Sequence, residues 1–211
     1  DDDDGPLGYG INPPAAAFAV FRGPYSTPND GIDNNLNGQI DEMVPDCALQ
    51  SSTEHISMWN FISFNNDATP MGNPTTGLHM YHYLTGRWKN GVQMVFGGNG
   101  YPGSAGSTNL PARYQYPGNT DPYGYGLGGS HTDPVSAPFE WTAAQPGPNL
   151  SGHPAPRRFV MSMGPFRMTR GQVNSYVVGA LWARAPSGGA QASLYALKAA
   201  KWPHAHYKTP W

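Results

Sequence analysis

Apolar residues along this chain fall in short runs broken by turn formers, with little long-range periodicity. Ala15–Phe21 (AAAFAVF) is the first such run, a predicted strand closed by Gly23-Pro24. His55–Phe64 (HISMWNFISF) sets Trp59 and Phe61 against Met58, Ile62 and Phe64. Both faces are apolar, which predicts a buried strand ended by the turn Asn65-Asn66-Asp67. Asn73–Trp88 places Met80, Leu84 and Trp88 four residues apart, with Leu78 and Tyr81 beside them, and so predicts a helix with one apolar face. Lys89-Asn90-Gly91 stops it, and Val92–Phe96 reads as a strand. Residues 97–156 are rich in turn signals such as Gly-Gly-Asn-Gly at 97–100 and Tyr-Gly-Tyr-Gly at 123–126. A structureless segment of that length is unusual in a compact domain, so its Tyr and Trp side chains are expected to pin it down. Arg158–Ser162 and Ser175–Arg184 read as strands too close in sequence for a parallel crossover, which predicts an antiparallel hairpin. Ala190–Trp202 closes as a helix with Leu194, Leu197 and the Lys201 stem on one side, stopped by Pro203.

The expected fold class is therefore mainly β with long irregular loops. It has an antiparallel β-sandwich-like core plus two short helices, near 75–88 and 190–202, in a single module over 1–211. Composition sharpens this picture. With 27 glycines and 22 prolines in 211 residues, the chain carries about twice the usual share of turn formers, while charged residues, at 12%, are about half as frequent as usual. Aromatics at 12% and a net charge of −2 argue for an ordered fold over a disordered one. The balance of 12 Lys+Arg against 14 Asp+Glu gives no basic field, so no nucleic-acid partner is expected. No apolar run approaches the roughly 18 residues of a membrane helix, so no membrane span is expected. The acidic run Asp1–Asp4 is opposite in charge to a signal-peptide start, so an exported form would be a mature or excised piece. Cys47 is the single cysteine and is expected to be a free thiol, with neither disulfide nor cysteine metal cluster.

The segment that carries chemistry is Asn29 to Glu42 (NDGIDNNLNGQIDE). Hard cations such as Ca²⁺ take six to eight oxygens from carboxylates, amides and backbone carbonyls. Asp33, Asn35 and Asn37 offer side-chain oxygens at alternate positions, Gly38 permits a sharp bend, the Gln39 carbonyl can turn inward, and Asp41 closes the ring. Ile40 is expected to anchor the loop to the core. The order matches positions one, three, five, six, seven and nine of an EF-hand loop. The twelfth position, however, is Val44 in place of the bidentate Glu, so Asp30 or Glu42 must supply the missing oxygens and the flanking EF-hand helices are not expected. Asp30-Gly31, Asp33-Asn34, Gly38 and Asp41-Glu42 resemble the calcium loops of thrombospondin type 3-like extracellular repeats. Those repeats usually carry Asp where this chain has Asn35 and Asn37, which implies weaker binding, in the ~10⁻⁴–10⁻³ M range of extracellular modules. Asn, Asp and Gly also build plain turns, but register, glycine and closing acid together favour a structural Ca²⁺.

A second resemblance spans most of the chain. Trp59-Asn60-Phe61, Tyr83-Leu84-Thr85-Gly86-Arg87-Trp88, Gly97-Gly98-Asn99-Gly100-Tyr101, Pro117-Gly118-Asn119-Thr120-Asp121-Pro122, Arg157–Phe166 (RRFVMSMGPF) and Val178–Arg184 (VGALWAR) occur in that order. The series resembles a region of large proteins that Bacteroidota export through the type IX secretion system. It implies a secreted or cell-surface location, as part of a longer product, and assigns no catalytic residues.

Other chemistries find less support. His79 and His82 lie three apart on the first helix, and His204 and His206 could chelate, but no acid stands at ligand spacing. A hydrolase reading falls on Glu140 or Asp133, without a pairing to distinguish them. The aromatics Tyr101, Tyr114, Tyr116, Tyr123, Tyr125 and Trp141 either stack on sugars, as in a carbohydrate-binding module, or fix the long segment to its own domain. The leading expectation is a non-enzymatic, calcium-stabilised surface or secreted module. Its partners are proteins or further copies of itself at the cell surface, with glycans as the alternative.

Overall fold

The computed structural model describes residues 9–10, 12–41, 54–143 and 158–201. Cys47, Glu42, His204 and His206 lie outside them. Among the described residues six strands and two helices follow in the order β1 (Ala15–Arg22), β2 (Met58–Phe64), α1 (Gly77–Leu84), β3 (Val95–Gly97), β4 (Ser107–Pro111), β5 (Arg158–Met163), β6 (Val177–Ala183) and α2 (Gly189–Lys201). The strands pair antiparallel as β1–β6, β2–β5 and β3–β4. The fold is mainly β, with a sandwich-like core, two helices and long irregular connections. The chain divides into two compact units, residues 1–57 with 166–211 and residues 58–165.

In the second unit β2 alternates cleanly. Asn60, Ile62 and Phe64 point inward while Trp59, Phe61 and Ser63 point outward, so the expectation of two buried faces gives way to one. Ile62 and Phe64 join Tyr83, Trp88, Met94, Phe96, Ala112 and Trp141 in a single core. Asn60 enters that core because its amide donates to the Tyr83 carbonyl at 2.8 Å. Helix α1 starts at Thr76, whose hydroxyl accepts the His79 amide. It ends at Leu84, well short of Trp88. Met80 and Leu84 are therefore exposed, and Tyr83 is the residue buried, stacked on Phe64 at 4.9 Å with its hydroxyl on the Gly72 carbonyl. Trp88 reaches the core from the turn beyond the helix.

Two indoles then organise the turn-rich region. Trp88 Nε1 donates to the Gly100 carbonyl at 2.8 Å, and Trp141 Nε1 to the Gly98 carbonyl at 2.9 Å. Gly100 has φ +86, and a Cβ there would lie 3.0 Å from the Trp88 ring, so both backbone and packing require glycine. Within 97–143, part of a segment that reads in sequence as nearly all loop, the chain forms β4 and a 3₁₀ turn over Tyr125–Leu127. Asp121 caps that turn through the Tyr125 and Gly126 amides.

In the first unit β1 and β6 pair from Ala15↔Ala183 to Val20↔Val178, and α2 packs on this ribbon with Leu197 buried. Leu194, predicted on the same side, is exposed. Gly179 admits the Phe21 ring, since a Cβ there would clash with it at 2.1 Å. The expected hairpin between β5 and β6 does not form. β6 pairs with β1 and β5 pairs with β2, each antiparallel. Each strand pairs with one distant in sequence, so proximity along the chain does not decide the pairing.

Burial lifts the phenols of Tyr83 and Tyr114 from 10.0 to about 12. A phenol kept neutral by the fold contributes fully below its ordinary pKa, and the contribution is lost as pH climbs through the folded value. Stability of the second unit should therefore fall between pH 10 and about 12. Tyr83→Phe should remove part of that slope and cost about 1 kcal/mol for the lost hydrogen bond. Denaturant unfolding across this range, beside phenolate absorbance, checks both.

Candidate metal centre

Between β1 and the segment at 54–57, backbone polar groups are satisfied by side chains of the loop itself. Short Asp and Asn side chains reach the amide two residues on, which competes with regular structure and folds the chain tightly. Asp30 Oδ1 accepts the Ile32 N–H at 3.1 Å, Asn35 Oδ1 the Asn37 N–H at 3.0 Å, and Asn37 Oδ1 the Gln39 N–H at 2.8 Å. Asp33 spans further, taking the Asn37 N–H on Oδ1 at 3.0 Å and the Gly38 N–H on Oδ2 at 2.8 Å. Asp33 and Asn35 thus converge on one amide hydrogen. Asp41 Oδ2 accepts the Gly31 N–H at 2.9 Å, which brings the end of the stretch back to its start. Gly38 has φ +91, the left-handed bend that its position predicts.

Of the sequence-predicted ligands, the structure gathers Asp33, Asn35 and Asn37 around one stretch of backbone. It brings Asp41 to Gly31, beside Asp30. Gln39 is exposed and takes part through its N–H, and Glu42 lies outside the described residues. Among the described residues no three Asp, Glu, His or Cys side chains form a metal-holding group. The donor chemistry nonetheless suits a hard cation, because oxygens of acids and amides dominate the loop. A carboxylate has about four lone-pair sites, and each Asp33 oxygen meets one amide in this conformation.

Ile40 does not anchor the loop; it is 62% exposed. The anchor is Glu54, fully buried, whose Oε2 accepts the Asn34 and Asn35 amides, while the Ser57 N–H meets the Asn34 carbonyl at 2.9 Å. A buried carboxylate demands such charge-assisted bonds. Glu54 carries no local sequence signal for this role, since its contacts lie about twenty residues upstream. Next to it, His55 Nδ1 donates to the Gly23 carbonyl at 3.0 Å, and its ring stacks on Tyr25 at 4.5 Å.

The remaining candidates resolve into local contacts. His79 bonds Thr75, and His82 bonds the Lys89 carbonyl. Glu140 and Asp133 are both exposed, and the cavity near them, lined by Phe96, Tyr114, Asp121 and Leu127, holds about 10 Å³, room for one water. Trp141 is 1% exposed and packs on Phe96 and Tyr116, so it fixes the long segment to its domain and presents no face to a sugar. No family model, curated protein or solved structure matches the chain.

Glu54→Gln keeps the shape but removes the charge that holds the loop. It should cost about 1.5–3 kcal/mol, the range for hydrogen bonds to charged groups. Amide exchange at Asn34 and Asn35 should quicken with it; unchanged exchange at both would mean that Glu54 is no anchor.

Proposed function

We propose that this chain is a non-enzymatic structural or interaction module of an exported, cell-surface or secreted protein, stabilised by one Ca²⁺ in the loop from Asp30 to Glu42. The observation that carries the reading is the convergence of Asp33 and Asn35 on the Asn37 amide, with Asn37 and Asp41 closing the turn. Asp30, Asp33, Asn35, Asn37, Gln39, Asp41 and Glu42 would hold the ion. Bound there, a divalent cation would neutralise crowded acids and cross-link oxygens that the loop otherwise engages in hydrogen bonds to its own backbone.

Support for export and a surface location comes from the ordered motif series, which resembles a region of type IX-secreted proteins. The interaction half is supported by the open face of the β1–β6 ribbon, where Val178 and Trp182 are more than half exposed. No helix among the described residues is long and apolar enough to cross a membrane. Protein partners or further copies of the module remain the proposed ligands of that face.

At calcium tenfold above Kd, mass action should add about 1.4 kcal/mol of stability. For a chain of this size that raises Tm by roughly 3–6 °C. EGTA should reverse the gain, and Asp33→Asn should abolish it. A melting temperature indifferent to calcium and chelator rejects the ion.

A further inference from the structure

The chain contains three Asn-Gly dipeptides, at 37–38, 90–91 and 99–100. In such pairs the glycine nitrogen, unhindered by a side chain, can attack the asparagine side-chain carbon. Three groups decide whether the fold favours this: an acceptor for the glycine proton, a donor for the oxyanion that develops on Oδ1, and freedom of the peptide to rotate.

We propose that Asn37 is a self-catalysed deamidation site, with Asp33 as its base. Asp33 Oδ2 lies 2.8 Å from the Gly38 nitrogen, placed to take its proton. The Gln39 N–H lies 2.8 Å from Asn37 Oδ1, where the oxyanion forms. As Asp33 takes the proton, the Gly38 nitrogen adds to Asn37 Cγ. The tetrahedral carbon collapses by breaking Cγ–Nδ2, and the amide nitrogen leaves as ammonia with that proton. Water then opens the cyclic imide at either carbonyl, leaving aspartate or isoaspartate at position 37.

At the other two dipeptides, among the described residues, no carboxylate accepts the glycine N–H, although the His82 ring lies against Gly91. Gly91 N–H meets the Trp88 carbonyl at 2.7 Å, and the Asn90 side chain donates to the Tyr101 hydroxyl. Gly100 N–H meets the Gly97 carbonyl at 3.0 Å, while the Gly100 carbonyl receives both the Trp88 indole and the Val95 amide. Both glycine protons face backbone carbonyls, which accept hydrogen bonds but do not act as bases. Rotation at Asn99 disturbs the Gly100 carbonyl that holds the Trp88 indole and the Val95 amide. A cation engaging Asp33 and Asn37 masks base and electrophile together, so occupancy guards the site. That last clause rests on the calcium reading; the ring closure does not.

The test is peptide mapping by mass spectrometry of the aged full chain, with ammonia release as a second readout. In the folded chain the peptide holding Asn37 should convert at least about tenfold faster than those holding Asn90 or Asn99, a gap that closes in denaturant. Asp33→Asn discriminates by sign: loss of the base slows conversion at Asn37, whereas mere loosening of the loop would speed it. Asn37→Gln should remove most of the ammonia released. Equal rates at all three sites in the folded chain, or faster conversion in Asp33→Asn, overturn the proposal. Slower conversion with added calcium supports the guard. Selectivity for Asn37 that calcium leaves unchanged removes the ion and keeps the deamidation site.

Discussion

Every buried peptide group must find a partner, and this chain has little regular structure in which to find one. Its surplus of glycine and proline keeps strands short, and its sparse charges leave few ion pairs to draw on. Other groups take over that work. In the second unit the indole N–H groups of Trp88 and Trp141 fill the carbonyls of tight glycine turns, and the Asp121 carboxylate takes two amides of the 3₁₀ turn. In the first unit Asp33, Asn35, Asn37 and Asp41 do so for their own loop, and Glu54 does so for the loop's attachment. The same side chains that replace secondary structure also concentrate oxygen ligands.

How much of this was legible depended on range. Runs that alternate or repeat over a few residues gave β1, β5, β6 and α2 nearly to their bounds, because local propensity and burial agree there. The hairpin expected between β5 and β6 does not form because each strand pairs with one about a hundred or more positions upstream in the chain, and local sequence carries no signal for such a partner. The inward face of α1 was misread for a related reason: Trp88 shares the helical spacing of Met80 and Leu84 but enters the core after the helix has ended. Strand β4 (STNLP) is short and largely polar, with no pattern to announce it.

The loop shows the same division. The oxygen spacing and the bend at Gly38 were readable, since both follow from residue type over ten positions. The anchor was not. Ile40 had the right chemistry and the wrong place, whereas Glu54 is a buried acid whose role is visible only through the Asn34 and Asn35 amides. Loop and anchor together make an oxygen-rich turn tied through the Asn34 and Asn35 amides to the buried Glu54.

Whether a hard divalent cation binds among these oxygens is tested most directly by amide-resolved magnetic resonance during a calcium titration. Shifts should gather on Gly31, Asn34, Asn37, Gly38 and Gln39, saturate at millimolar calcium or below, and vanish in Asp33→Asn. Spectra that stay fixed in this stretch as calcium is added, or that shift elsewhere in the chain instead, would contradict such binding.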